Sequence, residues 1–189
     1  SRWASSRFPG KALADLGGEP LVVRTARNAA RMTTADRVVV ATDDERILEA
    51  VVAAGLEAVL TADHPTGTDR VGEVARADGA GIVLNLQGDE PLLDPADADR
   101  LVSVLRSDPA ADIATCGHRF GSESAWRDAN QVKVLLGADG GALSFSRAPI
   151  PGMFPGRSPE PGREPWHIAL RHVGIYASRR AALERFLDL

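Results

Sequence analysis

The sequence has little of what marks secreted, membrane-spanning or nucleic-acid-binding proteins. It contains a single cysteine, Cys116, which excludes an internal disulfide and weakly favours a reducing compartment. No apolar run approaches the roughly 18 residues of a membrane span, and the first residues lack the apolar core of a secretory signal. The net charge is −4, so nothing points to nucleic acid or to a membrane surface as a partner. These absences predict a cytoplasmic protein that binds neither nucleic acid nor membranes.

The composition suits one globular domain. The chain has 189 residues, of which 44% are apolar and 25% charged, and this length is sufficient to bury a hydrophobic core. Neither an internal repeat nor a domain linker divides the sequence. We therefore predict a single domain over residues 1–189.

Apolar runs alternate with helical patterns in the first part of the chain. Residues 37–42 and 81–87 are short runs rich in Val, Ile and Leu, which is typical of strands buried on both faces of a sheet. Residues 20–31, 44–54 and 95–105 repeat apolar side chains at helical spacing. This alternation predicts an α/β fold with a mostly parallel sheet and helices on both faces.

The pattern changes after residue 110. Residues 113–118 and 131–136 are typical of strands, and a Gly-rich turn at 138–141 follows the second of them. These segments predict a small antiparallel extension, formed as a hairpin or as adjacent strands. Residues 149–165 carry Pro or Gly at nearly every second position and are predicted to form a surface loop.

The first residues have the chemistry of a phosphate-binding loop. Residues 2–11 contain two arginines, one lysine, two serines and a glycine. Cationic side chains and accessible backbone N–H groups can neutralise a triphosphate while leaving its α-phosphorus open to attack. The segment is not a Walker A loop, because Ala12 follows Lys11 where Ser or Thr would be required. Composition alone leaves open a merely basic, solvated segment.

Two carboxylates follow the second predicted strand. Asp89 and Glu90 lie just past residues 81–87, at a carboxyl end where open α/β sheets bind ligands. Mg²⁺ binds one or two carboxylates together with substrate phosphates and water, so this pair is a candidate metal site. The alternative is that both acids only cap the turn before Pro91.

Seven sequence blocks, in this order, resemble the cytidylyltransferases that make CMP-activated acidic sugars. The opening Ser-Arg-x-Ala-Ser-Ser-Arg-Phe-Pro-Gly-Lys-x-Leu and the central Asn-Leu-Gln-Gly-Asp-Glu-Pro carry most of the resemblance. The blocks lie at residues 1–13, 38–44, 66–70, 85–91, 132–134, 145–151 and 171–176. Within this family the sequence is most similar to the enzymes that act on 3-deoxy-manno-octulosonate (Kdo).

The resemblance implies a nucleotidyltransferase-type, Rossmann-like fold, Mg²⁺ as cofactor, and a homodimer that uses CTP and a small acidic acceptor. An acceptor oxygen would attack the α-phosphorus of CTP in line and displace pyrophosphate. Mg²⁺ would lower the pKa of the bound acceptor hydroxyl, so an obvious general base is unnecessary. The implied nucleotide-binding residues are Arg2, Arg7, Gly10, Lys11, Thr42 and Asp43. The implied acceptor-binding residues are Arg70, Gln87, Lys133, Arg147, Arg171 and His172. Asp89 would bind the metal, and Arg2, Lys11 and Asp89 would act in catalysis.

Some of these residues also have a purely structural interpretation. Arg70 could be a surface residue of a helix, Lys133 could point from a strand into solvent, and His172 could be a structural histidine. The resemblance also implies a first strand ahead of residue 1 and a second metal-binding aspartate after Leu189, neither of which this sequence contains.

The sequence leaves the identity of the acceptor substrate undecided. Gly152 follows Pro151 where an aromatic residue is typical of the family, and the segment 152–165 offers few neutral groups for the hydroxyls of Kdo. A small phosphonate, such as phosphonoformate, is therefore an alternative acceptor. A non-catalytic nucleotide-binding homologue is the alternative from another class. A sugar-1-phosphate uridylyltransferase is disfavoured, since those enzymes carry a longer Gly-rich loop.

Overall fold

The computed structural model describes residues 1, 8–152, 160, 162 and 164–189. Arg2 and Arg7, together with most of the predicted loop (153–159, 161 and 163), lie outside the described residues. The chain divides into two compact units, and the single domain over residues 1–189 stays a prediction. The first unit is Ser1–Ala114 with Ile175–Leu189, and the second is Thr115–Gly174.

Among the described residues, five helices belong to the first unit. They are α1 (Leu21–Ala29), α2 (Glu45–Ala53), α3 (Gly67–Asp78), α4 (Pro95–Ser107) and α7 (Arg180–Leu187), and a 3₁₀ turn at Lys11–Leu13 precedes them. The three predicted helices are confirmed with slightly different ends. Asp44 and Asp94 begin α2 and α4, because each carboxylate accepts a backbone N–H of the first turn. No helix in the described ranges is long and apolar enough to cross a membrane.

The strands of the first unit correct one expectation about the sheet. β1 (Val39–Thr42) pairs in parallel with β2 (Glu57–Leu60). β3 (Ile82–Asn85) instead pairs antiparallel with the second half of β7 (Leu170–Arg179). The α/β class is confirmed, but the mostly parallel sheet is matched only in part. An apolar run buried on both faces has the same composition whichever way its neighbour runs, so the pattern could not decide the direction.

Apolar side chains of the helices pack on this framework. Ala12, Val22, Val23, Ile47 and Val51 form one core cluster, which joins the 3₁₀ turn to α1 and α2. This packing fixes the 3₁₀ turn, which begins at Lys11, against the helix that precedes β1.

The second unit contains the predicted antiparallel extension. β5 (Lys133–Leu136) and β6 (Ala142–Ser146) form a hairpin, which confirms the first of the two predicted arrangements. β5 also pairs antiparallel with the start of β7, and β4 (Ile113–Arg119) pairs with β7. Two short helices, α5 (Glu123–Arg127) and α6 (Pro165–Ile168), complete the unit. Its core is formed by Phe120, Trp126 and Ala169.

Candidate functional site

Lys11 and Asp89 meet in the first unit. The Lys11 ammonium lies 2.6 Å from a carboxylate oxygen of Asp89, and the two side chains are 44% and 48% exposed. Lys11 begins the 3₁₀ turn, and Gly10 before it has φ +72°, a left-handed conformation that favours glycine. Two residues predicted for catalysis, 78 positions apart in the sequence, are therefore brought into contact by the fold.

Helix α1 holds the segment that carries Asp89. The Thr25 hydroxyl shares its hydrogen between the Leu21 carbonyl at 2.9 Å and the Gly88 carbonyl at 3.1 Å, and the Asn28 amide donates to the carbonyls of Pro91 and Leu93. Sequence reasoning missed the role of Thr25 and Asn28. The available signal was that both are polar residues three positions apart on or beside the apolar stripe of a helix. The turn after β3 is thus anchored at both ends, which limits where the Asp89 carboxylate can lie.

The ends of β1 and β2 carry a second cluster. The Arg70 guanidinium, only 3% exposed, lies 2.6 Å from the Asp43 carboxylate. It also donates to the Thr61 hydroxyl at 2.6 Å. Thr42, at the end of β1, is fully buried, and its carbonyl accepts the backbone N–H of Thr61. The surface interpretation of Arg70 is wrong, because α3 packs so that its first turn buries the side chain.

The Arg70→Met variant is expected to lower the free energy of unfolding by about 2–3 kcal/mol, because it leaves the half-buried Asp43 carboxylate without its partner. Urea denaturation measures this change. Arg76→Met is the matched control on the same helix, since Arg76 and its partner Asp188 are both exposed and 3.6 Å apart. We expect it to cost less than about 0.5 kcal/mol. Equal costs for the two variants would contradict a stabilising role for the buried pair.

A cavity of about 1000 Å³ lies between β1 and β3. Apolar side chains such as Val40, Val74 and Leu84 line it, and these two strands form no pair with each other in the described ranges. Apolar walls do not suit a triphosphate, whereas the half-exposed Lys11 ammonium, which also lines the cavity, does. The cavity lining also unites four predicted site residues of this unit, Lys11, Arg70, Gln87 and Asp89.

Lys133 in the second unit is fully buried, so the expectation that it could point into solvent is wrong. Its ammonium donates to the backbone carbonyls of Asp128, Gln131 and Arg147 at 2.7, 2.8 and 2.8 Å. Desolvation lowers the pKa of Lys133, and the nearby Asp128 carboxylate opposes this shift.

The other predicted acceptor residues of this unit lie on different faces of the sheet. Arg171 is directly opposite Lys133 in the ladder, so the two side chains leave the sheet on one face. His172, the next residue, leaves on the other face. There its Nε2 lies 2.9 Å from the Thr115 hydroxyl, its ring contacts Phe145 edge-on, and burial lowers its pKa. Arg147 is exposed and donates to the Ala129 carbonyl at 3.1 Å.

The residues around Asp89 are compatible with Mg²⁺. In the described part of the chain no group of three or more His, Cys, Asp or Glu side chains could hold a metal by itself. Mg²⁺ does not require such a group, because one carboxylate, substrate phosphates and water complete its shell. Asp89 is half exposed, so a metal ion with its water and phosphate ligands could reach the carboxylate oxygens.

Comparisons with known proteins cover the whole chain. A family model described as cytidylyltransferase matches residues 1–189. The 3-deoxy-manno-octulosonate cytidylyltransferase of Verminephrobacter eiseniae (strain EF01-2) is 44% identical, over 100% of this chain and 74% of the relative. That of Chromohalobacter salexigens is 45% identical, with the same coverage.

Solved structures agree with these matches. The structure of a CMP:2-keto-3-deoxy-manno-octonic acid synthetase complexed with CTP has a TM-score of 0.90 at 40% identity, over 100% of this chain and 75% of the other. A cytidylyltransferase from Leptospira borgpetersenii serovar Hardjo-bovis has a TM-score of 0.63 at 16% identity, over 100% and 61% of the two chains. The second likeness shows the fold alone.

Proposed function

Because the chain belongs to the cytidylyltransferase family, we propose that it transfers CMP from CTP to Kdo and releases pyrophosphate. The observation that carries this proposal is the similarity, at 44% and 45% identity over the entire chain, to two Kdo cytidylyltransferases. The chain has the α/β nucleotidyltransferase fold of its structural relatives. It is accordingly a CTP-dependent nucleotidyltransferase.

We propose that the first unit binds CTP. Lys11 neutralises the phosphates together with Arg2, within a loop shaped by Arg7 and Gly10. Thr42 and Asp43 lie near the cytidine. The buried Arg70 fixes the Asp43 carboxylate, so this end of β1 is rigid before the nucleotide arrives. Positioning and charge neutralisation supply most of the barrier reduction in such a transfer, because little covalent chemistry falls to the protein.

We propose that Asp89 holds Mg²⁺. There the metal would supply positive charge to phosphate oxygens and lower the pKa of a bound acceptor hydroxyl, so that an obvious general base would be unnecessary. The proposal is supported by a half-exposed carboxylate at the carboxyl end of β3, next to a cation suited to phosphate. Thr25, which anchors the same turn through Gly88, positions this carboxylate.

The acceptor carboxylate needs a cationic side chain that is accessible and not already neutralised by a carboxylate of the protein. Asp43 already neutralises Arg70, whereas Arg147 and Arg171 are exposed. We therefore propose that Arg147 and Arg171 bind the acidic group of the acceptor. The acceptor roles of Gln87 and His172 stay predictions.

Incubation of the protein with CTP, Mg²⁺ and Kdo is expected to release pyrophosphate, and a neutral sugar such as mannose is expected to give none. The reason is that exposed arginines favour an anionic acceptor. Pyrophosphate release is the measurement, with UTP, GTP and ATP in parallel reactions. Turnover of phosphonoformate but not of Kdo would mean that the natural acceptor is a phosphonate and not the acid sugar. CTP binding without turnover of any acid would indicate a non-catalytic homologue.

Two further proposals concern assembly and location. The described edge strand β6 exposes Leu143 and Phe145, and a second copy of the chain would cover such apolar surface. A homodimer is therefore part of the proposal. The cytoplasm is its proposed location, since the reaction consumes CTP.

A further inference from the structure

Lys133 has an unusual environment for a cation. Lys133 and Arg70 are the two buried cationic side chains in the part of the chain that the structure describes. Arg70 has the carboxylate of Asp43 as its partner, whereas the three hydrogen bonds of Lys133 all go to backbone carbonyls. An ammonium group has three N–H donors and no acceptor. All three donors are therefore used inside the protein, and none remains for a substrate.

The three carbonyls belong to two separate pieces of chain. Those of Asp128 and Gln131 lie in the turn after α5, and that of Arg147 follows the last residue of β6. The Arg147 guanidinium donates to Ala129 of the same turn. The backbone and the side chain of Arg147 are thus both tied to residues 128–131, with Lys133 at the centre of the connection.

A second buried donor holds the same segment three residues later. The indole N–H of Trp126, a side chain only 1% exposed, donates to the Ile150 carbonyl at 2.8 Å. Residues 147–150 are consequently fixed at their first residue by Lys133 and at their last by Trp126. A segment held at both ends by buried, well-packed donors presents its exposed side chains in a defined place.

We propose that Lys133 is a positioning residue for the acceptor: it fixes the backbone at Arg147 so that this guanidinium meets the acceptor carboxylate, and it does not bind the acceptor itself. The proposal rests on the proposed function, because Arg147 is assigned to the acceptor there. Loss of the ammonium removes the group that joins the carbonyls of Asp128 and Gln131 to that of Arg147, while the Asp128 carbonyl still accepts the Gln131 N–H. Residues 128–131 and 147 therefore move apart, and Arg147 loses its place.

The test is the Lys133→Met variant, which keeps the apolar stem and removes the ammonium. The KM for Kdo is expected to rise at least about tenfold, because misplacement of a binding group by about 1 Å is sufficient for such a loss. The KM for CTP and the Kd for CTP, measured by calorimetry, are expected to stay within about twofold. Arg119→Met is the matched control: Arg119 is an exposed cation of the same unit that also donates to a backbone carbonyl. It is expected to leave both KM values unchanged.

A double-mutant cycle separates positioning from direct contact. If Lys133 acts through Arg147, then Lys133→Met changes kcat/KM for Kdo by less than about twofold in the Arg147→Ala background. If Lys133 contacts the acceptor directly, the two losses multiply and the proposal is overturned. An unchanged KM for Kdo in folded Lys133→Met protein overturns it as well.

Two outcomes require separate treatment. Should Lys133→Met fail to fold, Trp126→Phe tests the other end of the segment by removing the indole donor while keeping an aromatic ring. A rise of about threefold or more in the KM for Kdo supports the proposal, and no rise overturns it. Absence of turnover in the unmodified protein contradicts the proposed function itself. A normal KM for Kdo in the variant of an active protein contradicts only the positioning role of Lys133.

Discussion

The Asp89→Asn variant is expected to lose at least about 10³-fold in kcat for CMP transfer while keeping its fold. Asparagine retains the shape of the side chain and one oxygen but removes the charge that holds Mg²⁺. A bound metal contributes several kcal/mol to the stabilisation of transition-state charge, and each 1.36 kcal/mol is a factor of ten in rate. Pyrophosphate release at saturating CTP and Kdo measures the loss.

Two controls make this result specific to the site. Asp97→Asn is closely matched, because Asp97 is 48% exposed, as Asp89 is, and also forms one ion pair, with Arg100 at 2.7 Å. It is expected to retain activity. Asp89→Asn also removes the exposed pair with Lys11, which is worth at most about 1 kcal/mol of stability, so its thermal midpoint should stay near that of the unmodified protein. Normal activity of Asp89→Asn at ordinary Mg²⁺ would mean that the carboxylate is only a turn cap.

The Lys11→Ala variant is expected to lower kcat/KM for CTP by about 10²–10³-fold, or about 3–4 kcal/mol, which is the usual effect of removing one strong donor to developing charge. The fold places this ammonium next to Asp89, where it can neutralise phosphates beside the proposed metal. Initial rates at varied CTP and fixed Kdo give the value.

Arg100→Ala is the control for Lys11→Ala, since it removes an exposed cation from its ion pair with an aspartate elsewhere in the same unit. We expect it to change kcat/KM for CTP by less than about twofold. A loss confined to the KM for Kdo would assign Lys11 to the acceptor, and a near-normal kcat/KM for CTP would remove it from the site.

Much of the local structure could be predicted from the sequence. Helices α2 and α4 begin at Asp44 and Asp94, since a carboxylate at that position satisfies the free N–H groups of the next turn. The β5–β6 hairpin follows from two β-rich runs around a Gly-rich turn. The phosphate-binding and metal-binding candidates rest on residue types and positions together with the family resemblance, because residue types alone left a solvated segment and a turn cap open. All these features depend on residues that are neighbours in the chain.

Only the tertiary structure determines which residues that are far apart in the sequence come into contact. Asn85 lies opposite Tyr176 in an antiparallel pair. Neither segment indicates this direction in its sequence, because an apolar run is compatible with parallel and antiparallel pairing. Arg70 and Lys133 are charged residues that a sequence pattern assigns to the surface. Their burial depends on partners that only the folded chain supplies: a carboxylate at the end of another strand for Arg70, and three backbone carbonyls for Lys133. Sequence patterns record the polarity and propensity of each residue, whereas the cost of burying a charge is offset by groups whose positions exist only after folding.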